Sequence, residues 1–305
     1  MSELPLVWLP FEPDRLDEAP TGLRYQVVDP TEHVPDSVTE VEVYVPPYRM
    51  DAAAVSVMGQ MSRLKVVQTL SAGVDNFRPS VPDGVSLCSG RGIHDASTAE
   101  LALTLILASL RGIPEFVEAR ARHEWKPSWR PALADKHVLL VGYGAIGEAI
   151  ERRLSPFEVT ITRVARSARD GVRPVTDLAE LLPDADVVLL ILPLTEETRG
   201  LVDRGFLASM KDGALLVNLA RGAVVVTDDL VAELGTGRIT AALDVVDPEP
   251  LPGDSPLWDA PGLLLSPHVG GASSAMWPRA YRLVRDQLRR YATREPLHNV
   301  TTGAY

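Results

Sequence analysis

A glycine-rich turn between a short apolar run and a helical stretch constrains the fold more than any other feature of this sequence. The apolar run 137–141 leads into the turn, whose spacing is Gly-x-Gly-x-x-Gly. In a strand–turn–helix unit, such glycines permit a tight turn, close approach of a ligand to the backbone and close helix–strand packing. The helix N-terminus then faces a pyrophosphate. The pattern predicts a dinucleotide site, with a ligand-free tight turn as the alternative. The residues expected at this site are Gly142, Gly144, Ala145, Ile146 and Gly147.

Short β-branched runs alternate with helical or turn-rich stretches along the whole chain. Such alternation predicts parallel sheets covered by helices, and 305 residues are enough for two domains. We therefore predict an α/β protein of two doubly wound parallel-sheet domains with a cleft between them. The first is a discontinuous, flavodoxin-like domain formed by 1–98 and 274–305. The second is a Rossmann domain formed by 99–273.

The predicted elements follow from hydrophobic periodicity and turn residues. A helix is predicted over 51–61, a long helix from Ser97 or Thr98, and a final amphipathic helix from about Arg279. The predicted strands are 6–9, 25–28, 41–45, 65–70 and 85–88 in the first domain, and 137–141, 159–164, 186–192, 214–219, 239–245 and 262–265 in the second.

Charge and cysteine content argue against several classes of function. The chain has 30 Lys plus Arg against 41 Asp plus Glu, a net charge of −11, so nucleic acid and anionic membranes would be repelled. The single cysteine, Cys88, excludes an intramolecular disulfide. No His, Cys, Asp or Glu spacing indicates a metal, and the N-terminus lacks a signal-peptide pattern. We expect a cytoplasmic protein with no metal, nucleic-acid or membrane partner.

The end of the strand after the glycine turn indicates which dinucleotide is bound. An acidic residue there would bind the adenosine ribose hydroxyls of NAD, but this position holds Ala165. Arg166, Ser167 and Arg169 follow it, and guanidinium and hydroxyl groups suit a 2′-phosphate. The sequence therefore favours NADPH over NADH, with a solvated arginine loop as the alternative.

Three chemically reactive residues follow predicted strands, at the sheet edge where open α/β folds bind their ligands. Arg221 could bind a carboxylate and polarise the adjacent carbonyl, and His268 could donate a proton to the developing alkoxide. A carboxylate such as Glu249 could orient the histidine and raise its pKa. Each residue alone also fits a structural role, but together they predict hydride transfer to a 2-oxo acid.

In its motifs, this chain resembles the D-2-hydroxyacid dehydrogenases over essentially its whole length. Residues 71–76 look like the family's substrate-carboxylate loop and 98–100 like the start of its interdomain helix. The remaining matches are Leu192-Pro193-Leu194-Thr195 with Thr198, Leu219-Ala220-Arg221, Asp244, Glu249, and His268-Val269-Gly270-Gly271. The chain departs from the family's pattern at two positions. Ala165 replaces the usual acidic residue at the strand end, and Ile191 stands where many members carry a histidine. With Ala165 and its nearby arginines, the chain is most similar to NADPH-preferring glyoxylate and hydroxypyruvate reductases.

This resemblance implies roles for individual residues. Arg221 would bind and polarise the substrate, His268 would be the general acid in reduction, and Glu249 would be its partner. Asp244 would hold the nicotinamide carboxamide, with a strand-end cap as its structural alternative. Further cofactor contacts are expected from Pro193, Thr198, Leu219, Ala220 and Gly270, and substrate contacts from Ser71, Ala72, Gly73, Arg221 and His268.

The resemblance implies an NAD(P)H-dependent reductase that converts a small anionic 2-oxo acid to the D-2-hydroxy acid, and a homodimer. Two alternatives remain open from the sequence. One is a phosphite-type oxidoreductase of the same family. The other is a dinucleotide-sensing, corepressor-like interaction protein, which the absence of long disordered tails disfavours.

Overall fold

The computed structural model describes residues 3–48 and 52–301. The chain divides into two compact units, one formed by 1–94 with 274–305 and the other by 95–273. Each unit contains one parallel sheet. The α/β fold with two parallel sheets that the alternating pattern predicts is therefore confirmed.

The first unit contains five short parallel strands. Their spatial order is β2-β1-β3-β4-β5. They are β1 (Leu6–Leu9), β2 (Arg24–Val27), β3 (Val41–Tyr44), β4 (Val66–Gln68) and β5 (Ser86–Cys88). Of the predicted helix over 51–61, residue 51 lies outside the described residues. Ala52–Ser56 is α-helical (α1), and Val57–Gln60 forms a 3-10 turn.

The second unit begins with two helices and continues as a seven-stranded parallel sheet. Its strand order is β12-β11-β10-β9-β6-β7-β8. The helices are α2 (Asp95–Arg111), α3 (Ile113–Ala121), α4 (Ala145–Leu154), α5 (Leu178–Leu181), α6 (Arg204–Ser209) and α7 (Thr227–Gly235). The strands are β6 (His137–Val141), β7 (Thr160–Ala165), β8 (Arg173–Pro174), β9 (Val187–Leu190), β10 (Leu215–Asn218), β11 (Thr240–Leu243) and β12 (Leu263–Leu265).

The chain then returns to the first unit as helix α8 (Met276–Thr293). Its residues Met276, Ala280, Val284 and Leu288 are buried, a spacing of four that places them on one helix face. They pack against a core that includes Val7 from the sheet. The helix begins about one turn before the predicted Arg279, because a proline at position 278 is tolerated in the first turn of a helix.

Two further details differ from the sequence prediction. Helix α2 begins at Asp95 rather than at Ser97 or Thr98, so the proposed boundary between 98 and 99 falls inside its first turn. Strand β8 was not predicted, because two residues ending in a proline carry no alternating pattern. Among the described residues no single helix is long and apolar enough to cross a membrane. Helices α2 and α3, with a bend of 64° between them, reach the required length and apolar composition only when they are taken together.

The strand order of the second unit reverses beside β6. From β6 the chain runs outward through β7 to β8, and then returns to the other side of β6 for β9 to β12. In open α/β sheets, ligands bind outside the carboxyl ends of the strands at such a reversal. The glycine-rich turn after β6 lies at this point.

Candidate active site

The glycine-rich turn combines two glycines required by packing with one that faces open space. Gly142 has a φ of +106°, and a Cβ there would lie 2.5 Å from the Ile191 carbonyl oxygen. A Cβ on Gly147 would lie 2.7 Å from the Gly142 carbonyl oxygen. A Cβ on Gly144 would meet no protein atom within 4 Å. This open space at the N-terminus of α4, beside Ala145 and Ile146, fits a dinucleotide pyrophosphate.

The loop after β7 carries the arginines predicted to bind a 2′-phosphate. Ala165 is the last residue of the strand. The Arg166 guanidinium lies 3.2 Å from the Glu197 carboxylate, and both side chains are exposed. Arg169 donates a hydrogen bond to the Tyr143 carbonyl oxygen and lies over the Tyr143 ring, 5.6 Å from its centroid. Ser167 is exposed between them. Two cations and a hydroxyl thus lie on the loop next to the glycine-rich turn.

The loop after β9 is stabilised by Thr198. Its hydroxyl donates to the Pro193 carbonyl oxygen at 2.7 Å and accepts from the Thr195 N–H at 2.8 Å. In this structure the predicted cofactor residue Thr198 shapes the loop that presents Pro193.

Arg221 follows β10 in a tightly packed turn. Asn218, which is fully buried, accepts from the Ala220 N–H at 2.9 Å and donates to the Arg221 carbonyl oxygen at 3.0 Å. Leu219 and Ala220 are buried, whereas Arg221 is partly exposed. Its guanidinium donates to the Ala220 carbonyl oxygen at 2.8 Å. The buried turn thus holds the backbone from which the Arg221 cation projects.

His268 and Glu249 form a close pair. His268 Nδ1 lies 2.6 Å from Glu249 Oε2, and because a carboxylate only accepts, the ring nitrogen donates. Glu249 Oε1 accepts from the Val246 N–H at 3.1 Å. The pair lines a cavity of about 590 Å³, whose apolar walls include Leu251 and Trp258. The arrangement fixes the tautomer of His268, so that Nε2 is the nitrogen left for chemistry.

The pKa values of the pair shift in opposite directions. The hydrogen bond to Glu249 raises the pKa of His268, against burial, which lowers it; the charge of Glu249 adds to the rise and that of Arg221 opposes it. Burial acts to raise the pKa of Glu249, but the hydrogen bond and charge of His268 outweigh it and lower that pKa. The site therefore favours a protonated imidazole beside an ionised carboxylate.

Asp244, the first residue after β11, is buried and uses its carboxylate within the protein. Its Oδ1 accepts from the Ser266 hydroxyl at 2.6 Å and from the Val269 N–H at 2.9 Å. Its Oδ2 accepts from the Gly270 N–H at 2.8 Å. This is the strand-end cap that the sequence left as the alternative, and a nicotinamide contact by Asp244 stays a prediction.

Ser71, Ala72 and Gly73 lie in the first unit, in the loop after β4. The Ser71 hydroxyl donates to the Gly73 carbonyl oxygen at 2.8 Å, and the Ser71 carbonyl oxygen accepts from the Gly90 N–H at 2.7 Å. A Cβ on Gly90 would lie 2.7 Å from the Leu70 carbonyl carbon. The loop is thus fixed by the adjacent segment, and its substrate role stays a prediction.

Several residues of the candidate site were missed by sequence reasoning. Glu197 pairs with an arginine 31 positions away, and Ser266 with an aspartate 22 positions away. Asn218, whose side chain shapes the turn before Arg221, was given no role. The available signal for Ser266 was its place directly after a strand, since the carboxyl ends of adjacent parallel strands meet at one edge.

The comparison with known proteins decides the family. Residues 103–270 match the model described as D-isomer specific 2-hydroxyacid dehydrogenase, NAD binding domain. The chain belongs to the D-isomer specific 2-hydroxyacid dehydrogenase family. This confirms the resemblance found in the sequence. The protein is thus an oxidoreductase that uses a nicotinamide dinucleotide.

Similar members of this family include named reductases. The glyoxylate reductase/hydroxypyruvate reductase of Mus musculus is 36% identical over 227 residues, covering 70% of this chain and 69% of the relative. The glyoxylate reductase of Thermofilum pendens is 37% identical over 240 residues, covering 73% and 70%.

Solved structures of the family are similar over nearly the whole chain. An NADPH-dependent glyoxylate/hydroxypyruvate reductase from Sinorhizobium meliloti, in complex with NADP and sulfate, has a TM-score of 0.83 and 26% identity, covering 98% of each chain. A D-isomer specific 2-hydroxyacid dehydrogenase from Xanthobacter autotrophicus, in complex with NADPH and MES, has a TM-score of 0.83 and 28% identity, covering 99% of this chain and 98% of that chain.

Proposed function

We propose that this dehydrogenase reduces a small 2-oxo acid of the glyoxylate or hydroxypyruvate type to the D-2-hydroxy acid. The observation that carries the proposal is the His268–Glu249 pair, with Nδ1 and Oε2 2.6 Å apart, close enough to the Arg221 cation for its charge to act on both pKa values. A proton donor and a carboxylate-binding cation are the two groups that reduction of a 2-oxo acid requires from the protein.

Each residue has a defined task in this proposal. Arg221 binds the substrate carboxylate and polarises the adjacent carbonyl. His268, whose protonated form is favoured because Glu249 raises its pKa, donates the Nε2 proton to the carbonyl oxygen as negative charge develops there. Glu249 holds the ring and stabilises its cationic form. The nicotinamide cofactor, when bound, supplies the hydride.

We also propose that the cofactor is NADPH rather than NADH. Ala165 leaves no carboxylate at the strand end to bind ribose hydroxyls or repel a phosphate. Arg166, Ser167 and Arg169 follow it, and Arg169 lies beside the glycine-rich turn through its contact with Tyr143. The S. meliloti and X. autotrophicus structures, described as complexes with NADP and NADPH, support the same choice.

The proposal extends to assembly and location. A symmetric homodimer is supported by exposed apolar residues on and after α3, namely Val117, Trp125 and Trp129. A cytoplasmic location is supported by the single, buried cysteine, Cys88.

The test is to follow oxidation of NADPH and NADH with glyoxylate, hydroxypyruvate, pyruvate and bulkier 2-oxo acids. We expect turnover with small 2-oxo acids, a preference for NADPH, and a loss of at least about a hundredfold in kcat/KM for Arg221→Ala and His268→Ala. A preference for NADH would contradict the cofactor proposal alone. Nucleotide binding without turnover of any 2-oxo acid would contradict the substrate proposal and favour phosphite oxidation or a sensing role.

A further inference from the structure

We propose that Ser266 is a positioning residue for His268, acting through the buried carboxylate of Asp244. The proposal rests on the function proposed above, because it concerns the same histidine. Ser266 directly follows β12 and Asp244 directly follows β11. These strands are paired in parallel with Leu243 opposite Leu265. The register therefore places Ser266 next to Asp244 at the carboxyl edge of the sheet.

Asp244 holds three consecutive backbone N–H groups around the histidine. Its carbonyl oxygen accepts from His268 at 2.7 Å, and its carboxylate accepts from Val269 at 2.9 Å and from Gly270 at 2.8 Å. A Cβ on Gly270 would lie 2.9 Å from Asp244 Oδ2, so a side chain there would displace the Asp244 carboxylate. One residue thus fixes the peptide path on which the His268 side chain is mounted.

This support is needed because His268 has an unfavourable backbone conformation and a side chain that is only half-buried. Its φ is +51°, in the left-handed region that non-glycine residues seldom occupy without compensating contacts. Its side chain is 50% exposed, so packing holds the ring only in part. Hydrogen bonds from its N–H to the Asp244 and Ser266 carbonyl oxygens and from its ring to Glu249 also orient it.

The segment after β11 anchors both members of the pair. Asp244 holds the backbone of His268, and the Val246 N–H holds the Glu249 carboxylate at 3.1 Å. The Ser266 hydroxyl lies 2.6 Å from Asp244 Oδ1. It restrains the Asp244 carboxylate with a charge-assisted hydrogen bond. Without the hydroxyl, the Val269 and Gly270 N–H groups alone hold the Asp244 carboxylate, and we expect the His268 loop to shift relative to Glu249.

The experiment compares Ser266→Ala with Ser266→Thr, which keeps the hydroxyl, and with the control Ser209→Ala, which removes a hydroxyl that donates to the Gly205 carbonyl oxygen within α6. For Ser266→Ala we expect kcat for reduction to fall by about tenfold. KM for NADPH should stay within about twofold of wild type, and the pKa of His268, measured by NMR of labelled histidine, should move down towards its ordinary value. Ser266→Thr should restore most of the rate.

Several outcomes would overturn the inference. One is an unchanged kcat and an unchanged His268 pKa in Ser266→Ala. Another is a loss confined to KM for the cofactor, which would assign the Asp244 carboxylate to the nicotinamide alone. If Ser266→Ala fails to fold, Ser266→Cys, with a weaker donor of similar size, is expected to show the same downward shift in the His268 pKa, and an unshifted pKa would overturn the inference. If His268→Ala itself retains activity, the proposed function fails instead, independently of Ser266.

Discussion

His268 illustrates how a partly exposed residue acquires a defined protonation state from one neighbour. Burial alone would lower its pKa, but the hydrogen bond and charge of Glu249 outweigh burial. Since Glu249 has its own pKa lowered by the same contact, the carboxylate stays ionised where the imidazole is protonated. The pair therefore keeps the acid form of His268 available at a higher pH than an isolated histidine would.

Replacing Glu249 by glutamine tests this electrostatic support. With the carboxylate present, the rate of reduction should be highest below the raised pKa of His268 and fall as the pH rises through it, because reduction needs the protonated ring. In Glu249→Gln the fall should occur at lower pH, with kcat near neutral pH reduced by about tenfold or more. The pH dependence of kcat/KM measures this. The control Glu118→Gln, exposed on α3, should match wild type, and an unmoved profile in Glu249→Gln would refute the role.

If the Arg166 loop binds the 2′-phosphate as proposed, Glu197 should moderate its affinity for that phosphate. It pairs with Arg166 at 3.2 Å, and its pKa is lowered by a hydrogen bond from Thr195 and further by Arg166, so it is anionic at neutral pH. A 2′-phosphate must compete with it for the guanidinium. Because an exposed pair of this kind is weak, Glu197→Gln should lower KM for NADPH only about two- to fivefold and leave KM for NADH unchanged.

The matched control for that measurement is the double variant Arg166→Ala with Glu197→Gln. Without the guanidinium, the glutamine substitution should no longer improve NADPH binding. An equal effect of Glu197→Gln on NADH, or the same effect without Arg166, would show that the carboxylate acts on the cofactor by another route.

At the level of elements, two glycines of the glycine-rich turn serve different purposes, one in folding and one in the proposed ligand binding. Gly142 has a positive φ and no room for a Cβ beside the Ile191 carbonyl, whereas Gly144 faces open space. Gly142→Ala should therefore destabilise the fold by about 2 to 4 kcal/mol. Gly144→Ala should keep the wild-type Tm and weaken dinucleotide binding at least tenfold, because its methyl group occupies the space proposed for the pyrophosphate.

Thermal unfolding with and without NADPH distinguishes the two variants. Gly142→Ala should lower the Tm of the free protein, and Gly144→Ala should lose the rise in Tm that ligand binding produces. If NADPH raised the Tm of Gly144→Ala as much as it raises the Tm of wild type, the cofactor would have to bind elsewhere.

The elements that could be predicted from the sequence are those with a local signal. Val187–Leu190 lies within its predicted range because an almost unbroken apolar run indicates a strand buried on both faces. His268 and Glu249 could be singled out because they follow predicted strands. The proposed support of His268 by Ser266 could not be predicted from the sequence, since it depends on the strand register that sets Leu243 opposite Leu265. Strand β8 escaped detection because it is two residues long.

At the scale of the whole molecule, the chain leaves its first unit after His94 and re-enters it at Ser274. The position of the final helix past the last predicted strand predicted its return to the first domain, and the buried face of α8 packs in that core. The boundary between the two units was harder to predict from the sequence, because Asp95 starts a helix whose apolar periodicity begins only later along the chain. The order of the elements along the chain thus predicts a discontinuous first unit, whereas the exact residue at which the chain leaves that unit depends on where a helix begins.

The exposed apolar residues on and after α3 predict that two copies of the chain associate. Val117, Trp125 and Trp129 are exposed, and large apolar side chains exposed close together along a chain favour an interaction surface. Sedimentation velocity should give a dimer for wild type. Val117→Glu should weaken association at least tenfold, because it brings an unpaired carboxylate to the interface. The matched control Val27→Glu, at an exposed edge-strand position of the first unit, should remain dimeric. A wild-type monomer at every concentration would contradict the dimer, and equal weakening by both substitutions would contradict its assignment to this surface.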